Sequence, residues 1–260
     1  VIGGGSVAVD AARLSLRLGA EQVNLVCLES TGLVCKDRMP AQDLEIGQAG
    51  EEGVTILPSL GVSNIITEEG RITGLQTVNC VSVIDPEGRF APQFSEDPAP
   101  VILADTVIVA IGQRPDDKDF AEVDKTPFGT VKADKSTMET NIRGVFAGGD
   151  VVSGPADVIG AVAAGKEAAI SIALFLADMD LKESRPAPLQ RIEEVPKEGV
   201  EKEAREAMPL LEPDKREAAS EVELGFQEET AMRESQRCLH CGVYAQKESS
   251  EVARTRGVGI

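Results

Sequence analysis

The chain has 260 residues, 42% of them hydrophobic, enough for one large or two modest cores, so wholesale disorder is excluded. Against 26 Lys and Arg stand 44 Asp and Glu, and the net charge of -18 disfavours both nucleic acid and the anionic face of a membrane as partners. Aromatic residues at 3%, with no Trp, leave little material for base stacking, and five scattered cysteines do not make a disulfide scaffold.

The longest uncharged apolar run, Ala168–Ala177, is about half of what a bilayer span needs, and no basic-then-apolar signal opens the chain. These features predict a soluble, cytoplasmic protein with no membrane span. The opening residues Val1 and Ile2 read as a buried strand already under way, so further sequence is expected before them. The strand runs into Gly3-Gly4-Gly5-Ser6-Val7-Ala8, and Val7, Ala8, Ala11, Ala12, Leu14, Leu16 and Leu18 then recur as a helical face, with Arg13 and Arg17 opposite. Gly19 supplies the stop, and Val23–Glu29 reads as a second strand. Together these make a βαβ opening, the context that a dinucleotide fingerprint requires.

The chemistry asks for small residues at three points. Gly3 allows a tight turn, Gly5 lets the backbone approach a pyrophosphate, and Ala8 lets the helix pack close to the strand. The amides of Gly3, Gly4, Gly5, Ser6 and Val7 then face the anion at the helix start. Glu29, 24 residues after Gly5, stands where an acid accepts hydrogen bonds from the adenosine ribose and repels the additional phosphate of NADP. A merely solvated residue after the strand is the plain alternative. Lys36 and Arg38 reach a phosphate if their loop folds back.

Beyond Met39-Pro40-Ala41, residues Leu44, Ile46 and Ala49 with Glu45, Glu51 and Glu52 predict an amphipathic helix ended by Gly53. Val54–Leu57 reads as a strand with Ile72–Val83 as its hairpin partner, and Asp85–Pro100, with four prolines, as a loop or flexible edge. Val101–Gly112 has the nearly continuous apolar run of a buried parallel strand. Thr140–Asp150 reads as a strand ending in glycines and a carboxylate, and Gly154–Gly160 leads into a long apolar helix through Ala161, Ala164, Ala168, Ile172 and Leu176. An exposed Asp150 beside a helix start can bond a chain of hydroxyls while helix amides face an electron-rich ring.

The glycine turn with its helix, Met39-Pro40-Ala41, Ala110-Ile111-Gly112-Gln113-Arg114-Pro115 and Gly144-Val-Phe-Ala-Gly-Gly149-Asp150 resemble the flavin-containing small subunit of glutamate synthase and related NAD(P)H-dependent flavin and iron–sulfur oxidoreductases. The resemblance covers residues 1 to about 178. It implies an α/β chain with a Rossmann-like parallel sheet forming an NAD(P)-binding unit at 1–112 and the returning part of an FAD-binding Rossmann-like unit at 113–180; a charged helical tail follows at 181–260. It implies that Ile111 and Gly112 border the nicotinamide site, that Gly149 and Asp150 meet the flavin ribityl chain, and that Val158 and Ile159 lie near the isoalloxazine ring. Hydride would pass from nicotinamide to FAD and electrons onward singly through iron–sulfur centres or a partner subunit. Two departures stand out. The family's first FAD fingerprint is missing, so an upstream segment or a partner must supply it. Leu28 and Glu29 replace the family's paired arginines, which favours NAD(H) over NADP(H).

The tail from 181 is rich in Glu, Lys, Arg and Pro and predicts a linker followed by surface helices. It ends near Cys238-Leu-His240-Cys241, similar to the start of the family's cysteine runs. Three readings stay open: half of an iron–sulfur or metal site completed by another chain or segment, a redox dithiol, or a vestigial motif. A dithiol reductase of the thioredoxin reductase type would carry its CxxC within the nicotinamide unit, where this chain has none. The rival to a flavoenzyme portion is a non-catalytic nucleotide-binding or assembly module.

Overall fold

The computed structural model describes residues 1–32, 37–113, 115, 116, 118–182 and 203–238. They fall into two compact units, one joining Val1–Gly112 to tail residues within Glu201–Cys238, the other beginning at Gln113.

In the first unit, α1 (Ser6–Arg17) leads to β1 (Asn24–Val26), and α2 (Asp43–Glu51) to β2 (Thr55–Leu57), which pairs parallel with β1. Ile2 bridges in parallel to Val26 on one side and Val109 on the other. The parallel layer therefore runs in the order 108–110, 1–3, β1, β2. Alternation along the second strand assigns its two faces. Leu25 and Cys27 pack with Ala8, Val9 and Ala12 of α1 and Ala49 of α2, whereas Val26 meets Leu75 and Ile102.

Leu75 and Ile102 belong to an antiparallel sheet. It comprises β3 (Leu60–Glu68), β4 (Arg71–Ile84), β5 (Phe90–Phe94) and β6 (Val101–Leu103). The long β4 pairs with β3 along one side, and with β6 and then β5 along the other. Three expectations are corrected here. The partner of β4 is β3, not 54–57. A register shift between Val62 and Asn64 breaks the alternation that would have marked β3 in the sequence. Of the two readings of Asp85–Pro100 it is the loop that is corrected, because the segment contains β5, an edge strand where Pro92 costs no ladder hydrogen bond. Val101–Gly112 is not one buried strand. β6 joins the antiparallel sheet, 108–110 joins the parallel layer, and Asp105 marks the change of partner. Ile108, Val109 and Ile111 are exposed.

The tail residues of this unit form a small hairpin. The Leu211 amide donates to the Val222 carbonyl at 2.8 Å and the Leu224 amide to the Pro209 carbonyl at 2.9 Å. A 3₁₀ turn, Pro213–Lys215, sits between the arms, and α5 (Glu228–Gln236) follows in chain order after the short α3 and long α4 of the second unit.

In the second unit, Thr140–Asp150 does not form the expected strand. A single antiparallel bridge, Glu139 to Phe146, is followed by α3 (Asp150–Ser153). The segment lies too close to α4 (Val158–Leu176) for larger residues, since a Cβ on Gly148 would stand 2.8 Å from that of Ala164. Buried Ser171 of α4 donates to the Thr137 carbonyl at 2.5 Å, and Phe146 meets Phe175 edge-on with ring centres 6.1 Å apart. Measured as a helix rather than as an uncharged run, α4 is long and apolar enough to cross a bilayer. One such helix is weak evidence, and Lys166 and Glu167 stand at its middle. It does not by itself indicate a membrane protein.

Candidate dinucleotide site

The strand ends of the parallel layer gather the first group of candidate residues along one edge. Residues 1–3, β1 and 108–110 run in the same direction, so Gly3–Val7, Glu29, Ile111 and Gly112 all lie where these strands finish. In open α/β sheets this edge is where ligands bind.

The three glycines differ in what surrounds them. Gly3 has φ +139°, and a Cβ there would lie 2.3 Å from the Ala110 carbonyl oxygen, so both conformation and the neighbouring strand demand glycine. A Cβ on Gly4 would lie 2.4 Å from Glu29 Oε2, which shows that the Glu29 carboxylate leans against the turn. Gly5 meets nothing within 4 Å, and its φ of -88° and ψ of 172° suit any residue. Neither fold nor packing accounts for a glycine there; the space is open to a ligand. Gly5 is the N-cap of α1 without a side-chain cap, and no acid lies in the first turn to compete for the helix amides. Ser6 instead turns its hydroxyl to Glu45 Oε2 at 2.7 Å, and Val7 is exposed.

Two elements brace this edge. The Ala41 amide donates to the Gly4 carbonyl at 3.1 Å, which seats buried Met39 and Ala41 under the turn. Cys27 lies below Glu29, and burial, aided by the Glu29 charge, pushes its thiol up to about 12, so it stays protonated and inert. Asp37–Met39 folds back on Ser30: the Ser30 amide donates to the Asp37 carbonyl at 2.8 Å and the Met39 amide to the Ser30 carbonyl at 3.0 Å. Arg38 thereby stands beside Ser30, the residue after Glu29, with its guanidinium paired to Asp43. Lys36 lies outside the described residues.

The second unit holds Gly149, Asp150, Val158 and Ile159. Gly149, φ +74°, precedes the exposed Asp150 at the first turn of α3. Val158 and Ile159 open α4 with 79% and 82% of their surface exposed. Asp157 caps that helix, its Oδ1 accepting the Gly160 amide at 2.6 Å, so the amide of Gly160 is already engaged. Only Val158 and Ile159 present first-turn amides ahead of it. Cys238 is exposed just beyond α5, while His240 and Cys241 lie outside the described residues. Among the described residues no group of three His, Cys, Asp or Glu is placed to hold a metal ion.

Sequence reasoning placed Arg13, Arg17 and Glu52 on solvated faces, and this is wrong. Arg13 and Arg17 are nearly buried and converge on Glu52, whose Oε1 lies 2.8 and 2.7 Å from their terminal nitrogens. Burial alone would raise Glu52, but hydrogen bonds from Arg17, Arg13 and Arg216 outweigh it and bring the carboxyl down to about 2. The i, i+4 spacing of the two arginines was the available signal; the partner on α2 was not.

A parallel layer covered by helices on one face, with a glycine turn that opens a helix and an acid after the next strand, defines a Rossmann-like α/β protein. The chain belongs to the pyridine nucleotide-disulphide oxidoreductase family, which it matches over residues 1–165. It is 33% identical over 255 residues to the beta subunit of NADP(+)-dependent formate dehydrogenase from Moorella thermoacetica, an alignment covering 93% of this chain and 35% of that protein. It is 36% identical over 177 residues to the glutamate synthase [NADPH] small chain of Azospirillum brasilense, covering 66% of this chain and 36% of that one. The resemblance noted from the motifs is thereby borne out, and the chain spans about a third of the length of these relatives. The crystal structure of T. acidophilum thioredoxin reductase shares the fold, with a TM-score of 0.52 at 21% identity over 68% of this chain and 51% of that one.

Proposed function

We propose that the chain is the nicotinamide-binding portion and the returning flavin-binding portion of an oxidoreductase that draws electrons from NADH and delivers them to an electron-accepting partner. The observation that carries this reading is the open space at Gly5, a cradle that a Cβ would fill, at the uncapped start of α1 and one residue after Gly4, against which Glu29 leans. Gly3–Val7 bind the pyrophosphate through amides and the helix dipole. Glu29 takes the ribose hydroxyls, and Ile111 and Gly112 border the nicotinamide end.

The exposed Asp150 and the open start of α4 suit the hydroxyl chain and ring of FAD, with Gly149 allowing the turn between them. When bound, the two cofactors supply hydride transfer and the step-down to single electrons. The protein's own part is to hold and orient them, and no acid–base pair is needed for that. The remainder of the FAD site comes from an upstream segment or a partner subunit, as the greater length of the relatives fits. Cys238 with Cys241 contributes to an iron–sulfur or metal site shared with another segment or chain. The protein works in the cytoplasm.

NADH is the preferred nucleotide in this reading, because Glu29 leans against the glycine turn, where it would meet the ribose, while Arg38 is committed to Asp43. The two relatives named above carry NADP(+) or NADPH in their names, so this preference would set the chain apart from them. The test of the function is reconstitution. The chain alone should bind NADH and retain little FAD, and joined to an upstream FAD-binding segment it should reduce a dye with NADH. Dinucleotide binding without flavin retention or dye reduction in the joined protein would leave only a nucleotide-binding module.

A further inference from the structure

Arg216 comes from the tail, yet its side chain is 2% exposed and its partner Glu52 is 4% exposed. Its Nη1 donates to Glu52 Oε1 at 3.0 Å, its Nη2 lies 3.3 Å from Glu51 Oε2, and its Nε donates to the Leu211 carbonyl at 2.7 Å. Arg13 and Arg17 already satisfy Glu52, with Arg17 Nε on Oε2 at 2.8 Å, so the folded nucleotide unit does not need a third guanidinium. Arg216 brings one more positive charge and Glu51 offers it a second carboxylate, so three guanidinium groups meet two carboxylates at this point. Three acceptors arranged around one planar fork match arginine and not the point charge of lysine.

The tail is also tied within itself. Arg233 pairs with Glu206 at 2.7 Å, and the Glu206 amide donates to Glu234 Oε2 at 2.9 Å, so α5 is fastened to the segment that precedes the hairpin. Cys238 follows α5 directly.

We infer that residues 203–238 form an arm fastened to the dinucleotide unit by the insertion of Arg216 between Glu51 and Glu52, and that this anchor fixes where Cys238 stands relative to the glycine turn. The anchor grips the C-terminal ends of α1 and α2. The glycine turn lies at the other end of α1, roughly 18 Å away at the rise of a 12-residue helix. Loss of the anchor therefore frees the arm without touching the nucleotide. This inference stands whether or not the flavin reading does.

The test uses the full chain with Cys35 and Cys241 changed to serine and nitroxide labels on Cys238 and on a cysteine introduced by Glu21→Cys; Cys27 and Cys80 are buried and stay unlabelled. Pulsed electron paramagnetic resonance should give one narrow distance in this parent protein, a broad distribution in Arg216→Met, and an intermediate one in Arg216→Lys. Hydrogen exchange at the Leu211 and Leu224 amides should quicken by roughly a hundredfold in Arg216→Met while the Leu25 amide is unaffected. Should Arg216→Met not fold, Glu51→Gln carries the same test, with broadening expected. A broad distance in the parent, or a narrow one in the folded variant, overturns the inference.

Discussion

Replacing Gly5 with valine should separate folding from binding. At the N-cap of α1 the backbone of Gly5 has φ -88° and ψ 172°, which valine adopts freely, and an added Cβ meets no atom within 4 Å. The cost to the fold is limited to the poorer N-cap, about 1 kcal/mol, and the circular dichroism spectrum should stay native. The cost to a dinucleotide is larger, because the branched side chain fills the volume through which the pyrophosphate reaches the first-turn amides. Hydrogen bonds to a charged group contribute about 1.5–3 kcal/mol each, so losing two weakens binding by roughly 3–6 kcal/mol, two orders of magnitude or more. Titration calorimetry with NADH on both proteins measures this directly. Gly3→Ala is the contrasting variant: with φ +139° and the Ala110 carbonyl 2.3 Å from the new Cβ, it should lose stability as well as binding. An affinity of Gly5→Val within a factor of two of the parent would show that residues 3–8 are a structural turn and nothing more.

Glu29→Arg should raise the affinity for NADPH relative to NADH, and Asp43→Ala should do the same to a smaller degree by releasing Arg38; unchanged ratios in both, by calorimetry at low salt, refute the assignment of this loop. Acid should loosen the first unit in a defined window: Glu52 falls from an ordinary 4.5 to about 2 on folding, so the stability it lends is complete above about pH 4.5 and is lost as pH drops toward 2. Over that window Glu52→Gln should flatten the decline seen in denaturant titrations by roughly 3 kcal/mol, and an identical pH profile would contradict the buried cluster. In the chain joined to its flavin-binding segment, Asp150→Ala should lower the fraction of FAD retained through gel filtration while leaving NADH affinity as it was; full retention would remove Asp150 from the site.

Residues 1–29 were legible in outline because the signals that mark their turn, helix and strand are local. The turn needs glycines at set spacings, α1 needs a 3.6-residue apolar rhythm, and β1 follows at once, so Gly3, Gly5, Ala8 and Glu29 could be given places before any contact was known. The long apolar α4 was visible for the same reason. Tertiary structure alone decided the remainder. Val101–Gly112 is apolar but for Asp105 and Thr106, and periodicity cannot say that its first part pairs antiparallel with β4 and its last part parallel with Ile2, since that depends on which strands stand beside it. β3 was hidden by its register shift, and β5 by a proline that only an edge strand tolerates. Arg13, Arg17, Glu52 and Arg216 look like solvated charges in any local window. They become a buried cluster because α1, α2 and the tail converge, with Glu52 and Arg216 164 residues apart in the chain, and ion pairing at that distance leaves no periodic trace in the sequence.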